Sequence, residues 1–206
     1  MITLNILAVD DEPGMLSGIV RSLDSFRVMV SEVNEEVNFR INTVATGGAA
    51  VDAIKAERPD ILLLDYKLPD FNGLEVLKRT EEISEDMLTI MITAYASIET
   101  AIAATRQGAY DFLTKPFTPA DIKHTVRKAA IRIILARRAR RLEEEKKQVR
   151  FEFIRVLGHE LKAPLNATAG YLYLLRDHTL GDDLEKYDEM VHRSLLRIDQ
   201  MRKLIS

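Results

Sequence analysis

Five short apolar runs punctuate the chain up to Pro119: TLNILAV, FRINTVA, DILLLDY, LTIMITAY and DFLTKPF. Runs of this kind fit strands buried on both faces of a parallel sheet, where the hydrophobic pattern is continuous rather than alternating. Amphipathic stretches of helical length lie between them. Parallel neighbours need crossover connections, and these are right-handed. The order therefore predicts an α/β domain, doubly wound, with a five-stranded parallel sheet.

The pattern changes after Pro119, a residue suited to a first helical turn. No glycine or proline follows until Gly158, and the intervening residues are largely good helix formers. Leu135, Ala139, Leu142, Lys146, Val149, Phe153 and Val156 recur with alternating spacings of four and three, a heptad seam with one lysine in it. A break follows at RDHTLGDD. Leu184, Tyr187, Val191, Ser194, Ile198, Met201 and Ile205 then form a second seam, with Asp182 or Asp183 as its expected N-cap. Two helices and a short loop make an all-α hairpin. One hairpin buries little, so a homodimeric four-helix bundle is its natural completion.

The 206 residues suffice for one full domain and a smaller second unit. A net charge of −3 gives no general argument for binding nucleic acid or anionic lipid. The run Arg137–Arg141 is followed by no recognition-helix motif and reads as a solvated linker face. The chain has no cysteine, which excludes disulfides, thiolate zinc sites and cysteine nucleophiles. The apolar run Ile6–Val9 is far too short for a membrane span or a signal-peptide core. These features predict a cytoplasmic protein with neither membrane nor nucleic acid as a partner.

In an open α/β sheet, ligands bind beyond the carboxyl ends of the strands. Asp10, Asp11 and Glu12 end the first predicted strand, Asp65 the third, Thr93 the fourth and Lys115 the fifth. Acids converging there would repel one another. A hard divalent cation resolves this, and magnesium characteristically takes one or two carboxylates together with waters and phosphate oxygens. With a lysine and a hydroxyl added, the set suits phosphoryl transfer, an aspartate serving as nucleophile.

The segments AVDDEPGM, ILLLDYKLPDFNGLEVL, MITAYA and GAYDFLTKPF give residues 1–125 a specific resemblance to a two-component response-regulator receiver domain, a flavodoxin-like fold. The resemblance implies Asp65 as phosphoacceptor and Asp10, Asp11, Asp65 and the Lys67 backbone carbonyl as magnesium ligands. It implies that Thr93 bonds the phosphoryl group, that Lys115 pairs with it, and that Phe112 is an aromatic switch. The Lys115–Pro116 bond is expected to be cis, aiming the amine at the pocket. One departure is clear. Asp11 and Asp65 are 54 positions apart, longer than the family's usual spacing. The excess lies around VMVSEVNEEVNFR and is expected to lengthen the first helix or the loop after it, leaving the pocket intact.

At about 100° per residue, Ile154, Leu157, Leu161, Leu165, Thr168, Leu172 and Leu175 share one helical face, and His159 lies roughly 165° from its centre, toward solvent. The stretch FIRVLGHELKAPLNATAGYLYLL resembles the phosphoacceptor box of sensor histidine kinases. That resemblance covers roughly residues 140–206. It implies His159 as a second phosphoacceptor and Glu160 as its acid–base helper, since a neutral imidazole nitrogen is a nucleophile whose proton a carboxylate can take. Pro164 fits a kink past the site. Ala163 stands where the family usually has Thr or Asn, which puts phosphatase activity in doubt.

The expected organisation is a receiver at 1–125, a linker and coiled-coil helix at 119–150 continuous with the last receiver helix, and a dimerisation and histidine-phosphotransfer hairpin at 151–206. The expected function is two-component signalling, in which the receiver regulates or exchanges phosphate with His159 of a protein histidine kinase core. ATP would enter only through an ATP-binding kinase domain, in cis or in trans, that these residues do not contain. The chain is thus expected to be a fragment of a longer kinase, with a partner histidine kinase or response regulator. The alternatives are a stand-alone phosphorelay phosphotransferase, or a phosphorylation-controlled dimerising switch in which His159 is silent.

Overall fold

The structure, a computed structural model, describes residues 1–83, 86–94, 105, 107–177 and 184–205. It divides into two compact units, Met1–Ala139 and Arg140–Ser206.

In the first unit the strands are β1 (Ile2–Val9), β2 (Val28–Val30), β3 (Glu35–Val44), β4 (Ile61–Asp65), β5 (Leu88–Thr93) and β6 (Asp111–Thr114). The helices are α1 (Pro13–Leu23), α2 (Gly47–Ala56), α3 (Gly73–Thr80) and the start of α4 (Pro119–Arg176). The sheet order is β2-β3-β1-β4-β5-β6. The five strands from β3 to β6 in that order are parallel to one another, as the apolar runs predict. Both faces are covered. Leu4, Ile6, Ala8, Ile61 and Leu63 pack with Ile19, Leu23, Ile122, Val126 and Ile133 of α1 and α4. Leu7, Val9, Leu62 and Leu64 point the other way, to Val51, Ile54 and Val76 of α2 and α3. Two-sided burial is why these strands lack alternation.

The sheet has six strands where the sequence predicts five. The residues in excess do not lengthen α1, which ends at Leu23, and they are not a plain loop. They fold into an antiparallel hairpin, Val28 opposite Val37 and Val30 opposite Glu35, turned at Ser31–Asn34. Asn34 takes the left-handed conformation (φ 53°), which Asn tolerates better than most residues. Val28, Val30 and Val37 are fully buried, so the hairpin belongs to the core beneath α1 and α4. Three apolar residues are too short a run to announce a strand. Only the Val-x-Val alternation and the turn asparagine mark it.

Local chemistry fixes the helix starts. Pro13 opens α1. Thr46 caps α2 by accepting from Ala49 N–H at 3.1 Å, and Asn72 caps α3 by accepting from Glu75 N–H at 3.0 Å. Gly73 meets a harder constraint. A Cβ there would lie 2.6 Å from the Asp65 carbonyl oxygen, so α3 can start against the end of β4 only if its first residue has no side chain.

In the second unit, α4 continues to Arg176 and α5 spans Leu184–Ile205. Pro164 lies inside α4, and the Thr168 hydroxyl donates to its carbonyl at 2.9 Å. The expected capping residues Asp182 and Asp183 lie outside the described residues. Thr168 and Ser194 are buried, whereas Ile154, Leu165, Leu172, Val191, Leu195 and Ile198 are exposed. No described helix is long and apolar enough to cross a membrane.

Gly73→Ala is expected to destabilise the first unit by about 1–3 kcal/mol, the usual cost of overpacking. Urea unfolding followed by circular dichroism checks this. An unchanged midpoint would contradict the close approach.

Candidate functional site

The strand register assembles the site. Val9 pairs with Leu64, Asp65 with Ile92, and Thr93 with Thr114. Asp10, Asp65, Thr93 and Lys115 therefore emerge side by side at the carboxyl edge of β1, β4, β5 and β6. Backbone hydrogen bonds run one residue past the strand ends: Tyr66 N–H to Ile92 O and Lys115 N–H to Thr93 O, both 2.8 Å. The Lys115–Pro116 peptide is cis.

Asp10, Asp65 and Thr93 are buried, while Asp11 is exposed. Lys115 Nζ lies 2.8 Å from Asp10 Oδ2, 3.1 Å from Asp65 Oδ2 and 3.6 Å from Glu12 Oε1. Asp10 Oδ1 accepts from Glu12 N–H at 3.0 Å. Burial raises the Asp65 carboxyl above its ordinary value and Asp10 adds to this, while Lys115 opposes both by hydrogen bond and charge. The Lys67 backbone N–H also donates to Asp65. Burial pulls the Lys115 amine down, but Asp10 and Asp65 outweigh it and hold the amine above its ordinary value.

The donor set fits a hard cation. One oxygen from each of Asp10, Asp11 and Asp65 falls within 4.8 Å of the others. Asp10 Oδ2 is buried, with the Lys115 amine 2.8 Å away as its ion-pair partner. Carboxylate oxygens gathered in this way are hard donors of the kind a divalent cation takes.

Residues 6–127 match the family model of the response regulator receiver domain, and residues 149–206 match that of the His kinase A (phospho-acceptor) domain. The chain belongs to the response regulator receiver family. It is 44% identical over 89 residues to regulatory protein LuxO of Vibrio cholerae, a match covering 43% of this chain and 20% of LuxO. It is 33% identical over 128 residues to sporulation initiation phosphotransferase F of Bacillus subtilis, covering 62% of this chain and 94% of that protein. The chain thus spans about a fifth of LuxO and nearly all of the phosphotransferase. Among solved structures, a signal receiver domain from Vibrio parahaemolyticus matches with a TM-score of 0.59 at 26% identity, over 66% of this chain and 97% of that one. NtrX of Brucella abortus matches with a TM-score of 0.58 at 27% identity, over 70% of this chain and 30% of NtrX.

A receiver followed by a phospho-acceptor domain is an architecture of two-component phosphotransfer signalling. In the receiver, Phe112 lies on β6 with its side chain 49% exposed. In the phospho-acceptor domain, His159 and Glu160 are exposed on α4, as are Ile154, Leu165 and Leu172 of the apolar face. Beside them is an open groove lined by Glu160, Ala163, Pro164 and Ala167 of α4 and Arg197, Gln200 and Lys203 of α5.

Glu12, one of the acids at the end of the first predicted strand, is close enough to Lys115 to contribute to its charge balance. One polar residue of the receiver escaped the sequence reading of the site. Asp70 accepts from Gly47 N–H at 2.9 Å and Gly48 N–H at 2.8 Å, which, together with its bond from Phe71 N–H, holds its carboxyl below the ordinary value. Its partners are 22 and 23 positions away, so no local pattern signals the contact.

Because Asp65 is raised, its favourable contribution to folding is present below the ordinary carboxylate range and is lost as pH rises through the folded value. At neutral pH in magnesium-free buffer, Asp65→Asn is therefore expected to raise the melting temperature of the receiver. A lower melting temperature would contradict the burial argument.

Proposed function

We propose that Asp65 accepts a phosphoryl group and that His159 is the second phosphoacceptor of the same chain, within a protein histidine kinase or phosphorelay. The observation that carries this reading is the Lys115 amine seated between Asp10 and Asp65, beside three converging carboxylates. Asp10, Asp11, Asp65 and the Lys67 carbonyl would hold magnesium. When bound, the metal supplies positive charge against the phosphoryl oxygens.

An ionised Asp65 oxygen forms the new P–O bond as the P–N bond of a phosphohistidine breaks, and the electron pair returns to the imidazole nitrogen. Lys115 holds a proton throughout and is placed to pair with a phosphoryl oxygen. Thr93, buried at the end of β5, donates its hydroxyl to the same group, and Phe112 changes its packing in response. At the other site, His159 is open to solvent, as a nucleophile serving large partners must be, and Glu160 takes its proton. Ala163 offers no polar group with which to position a water, which argues for weak phosphatase activity toward a partner aspartate.

In this reading residues 1–125 form the receiver, 119–150 the linking coiled-coil helix and 151–206 the phosphotransfer hairpin. The hairpin works as a homodimer, because a single copy leaves Ile154, Leu165, Leu172, Leu195 and Ile198 uncovered. An ATP-binding kinase domain acts on His159 in cis or in trans, and the chain works in the cytoplasm with a partner histidine kinase or response regulator.

Intact-mass spectrometry tests the assignments. Magnesium and a small phosphodonor should add one phosphoryl group, lost in Asp65→Asn. A supplied ATP-binding kinase domain should place acid-labile phosphate on His159, lost in His159→Gln. An equal adduct on Asp65→Asn would sink the first assignment. Absence of histidine phosphate would favour a dimerising switch in which only Asp65 is modified.

A further inference from the structure

The loop from Tyr66 to Asn72 follows Asp65 and carries Lys67. Its ends are fixed by backbone bonds, Tyr66 N–H to Ile92 O and Gly73 N–H to Tyr66 O, both 2.8 Å. Its middle is held differently. Leu68 is buried, and Asp70 reaches out of the loop to the first two amides of α2. Phe71 lies against that helix start. A Cβ on Gly47 would meet its ring at 2.5 Å, so the absence of a side chain there lets the ring sit where it does. The Arg79 guanidinium covers the ring 4.2 Å from its centre.

We infer that Asp70 is a positioning residue for the cation site, fixing the loop and with it the Lys67 carbonyl against the Asp10, Asp11 and Asp65 carboxylates. This rests on the magnesium reading given above. A side-chain ligand can search rotamers for its metal, but a backbone carbonyl cannot. Its position is set by the backbone torsions on either side, and these hold only if the loop beyond is anchored. Asp70 provides that anchor, three residues after Lys67. The simpler role is that of a helix cap. Thr46 already caps α2 through Ala49 N–H, a hydrogen bond that involves no residue of the loop, and this separates the two roles experimentally.

Calorimetric titration of magnesium into the full chain decides between them. Asp70→Ala is expected to raise the dissociation constant by roughly tenfold, the scale on which supporting groups tune metal sites. Thr46→Ala weakens the same helix end and should lower the melting temperature while leaving magnesium affinity unchanged. Asp70→Asn, which retains one acceptor oxygen, should fall between wild type and Asp70→Ala. The inference is overturned if Asp70→Ala binds magnesium as wild type does, or if Thr46→Ala weakens binding as much. Should Asp70→Ala fail to fold, Asp70→Asn decides, and wild-type affinity in that variant overturns the inference. A wild-type chain that binds no magnesium would overturn the reading of the pocket itself, and this inference with it.

Discussion

Two aspartates buried side by side at a sheet edge cannot both remain ionised unless a positive charge stands between them. In this chain that charge is the Lys115 amine, 2.8 Å from Asp10 and 3.1 Å from Asp65. The rest of the receiver's polar end is arranged around it. The register of four parallel strands delivers the residues, the backbone bond from Lys115 N–H to Thr93 O fixes the lysine's origin, and Gly73 lets α3 start against the Asp65 carbonyl. The balance is incomplete, because burial still holds Asp65 above its ordinary value. A site left short of positive charge in this way favours an arriving cation.

Much of this was legible beforehand because it is local or periodic. Continuous apolar runs marked the parallel strands, and polar residues at their ends marked Asp10, Asp65, Thr93 and Lys115. Features that escaped depend on contacts remote in sequence. The hairpin built from Val28–Val30 is too short to read as a strand until Val37 is known to lie opposite it. Asp70 looks like an ordinary turn residue until α2 is brought to it. Glu12 was visible as one more acid beside Asp11, and only the fold brings it near Lys115.

On the function proposed above, the helix that begins at Pro119 is the route by which the state of Asp65 acts on His159, since one helix runs from the receiver to Arg176. Within the receiver its early turns grip β6 on one side of Phe112: Lys128 Nζ lies 2.8 Å from Asp111, and the Arg132 guanidinium stands over the Tyr110 ring at 5.4 Å. A change in the packing of Phe112 would act on the strand to which this helix is tied, and the same helix carries His159 before ending at Arg176. In the sequence, Lys146 places a charge within the heptad spacing that runs from Leu135 to Val156.

The most direct test of this account is the rate at which a supplied ATP-binding kinase domain phosphorylates His159, with Asp65 free and with Asp65 occupied by beryllofluoride and magnesium. The account predicts rates that differ by roughly 5–150-fold, the range typical of coupled sites, and a difference that vanishes in Asp65→Asn. Equal rates in the free and beryllofluoride-bound states would contradict it.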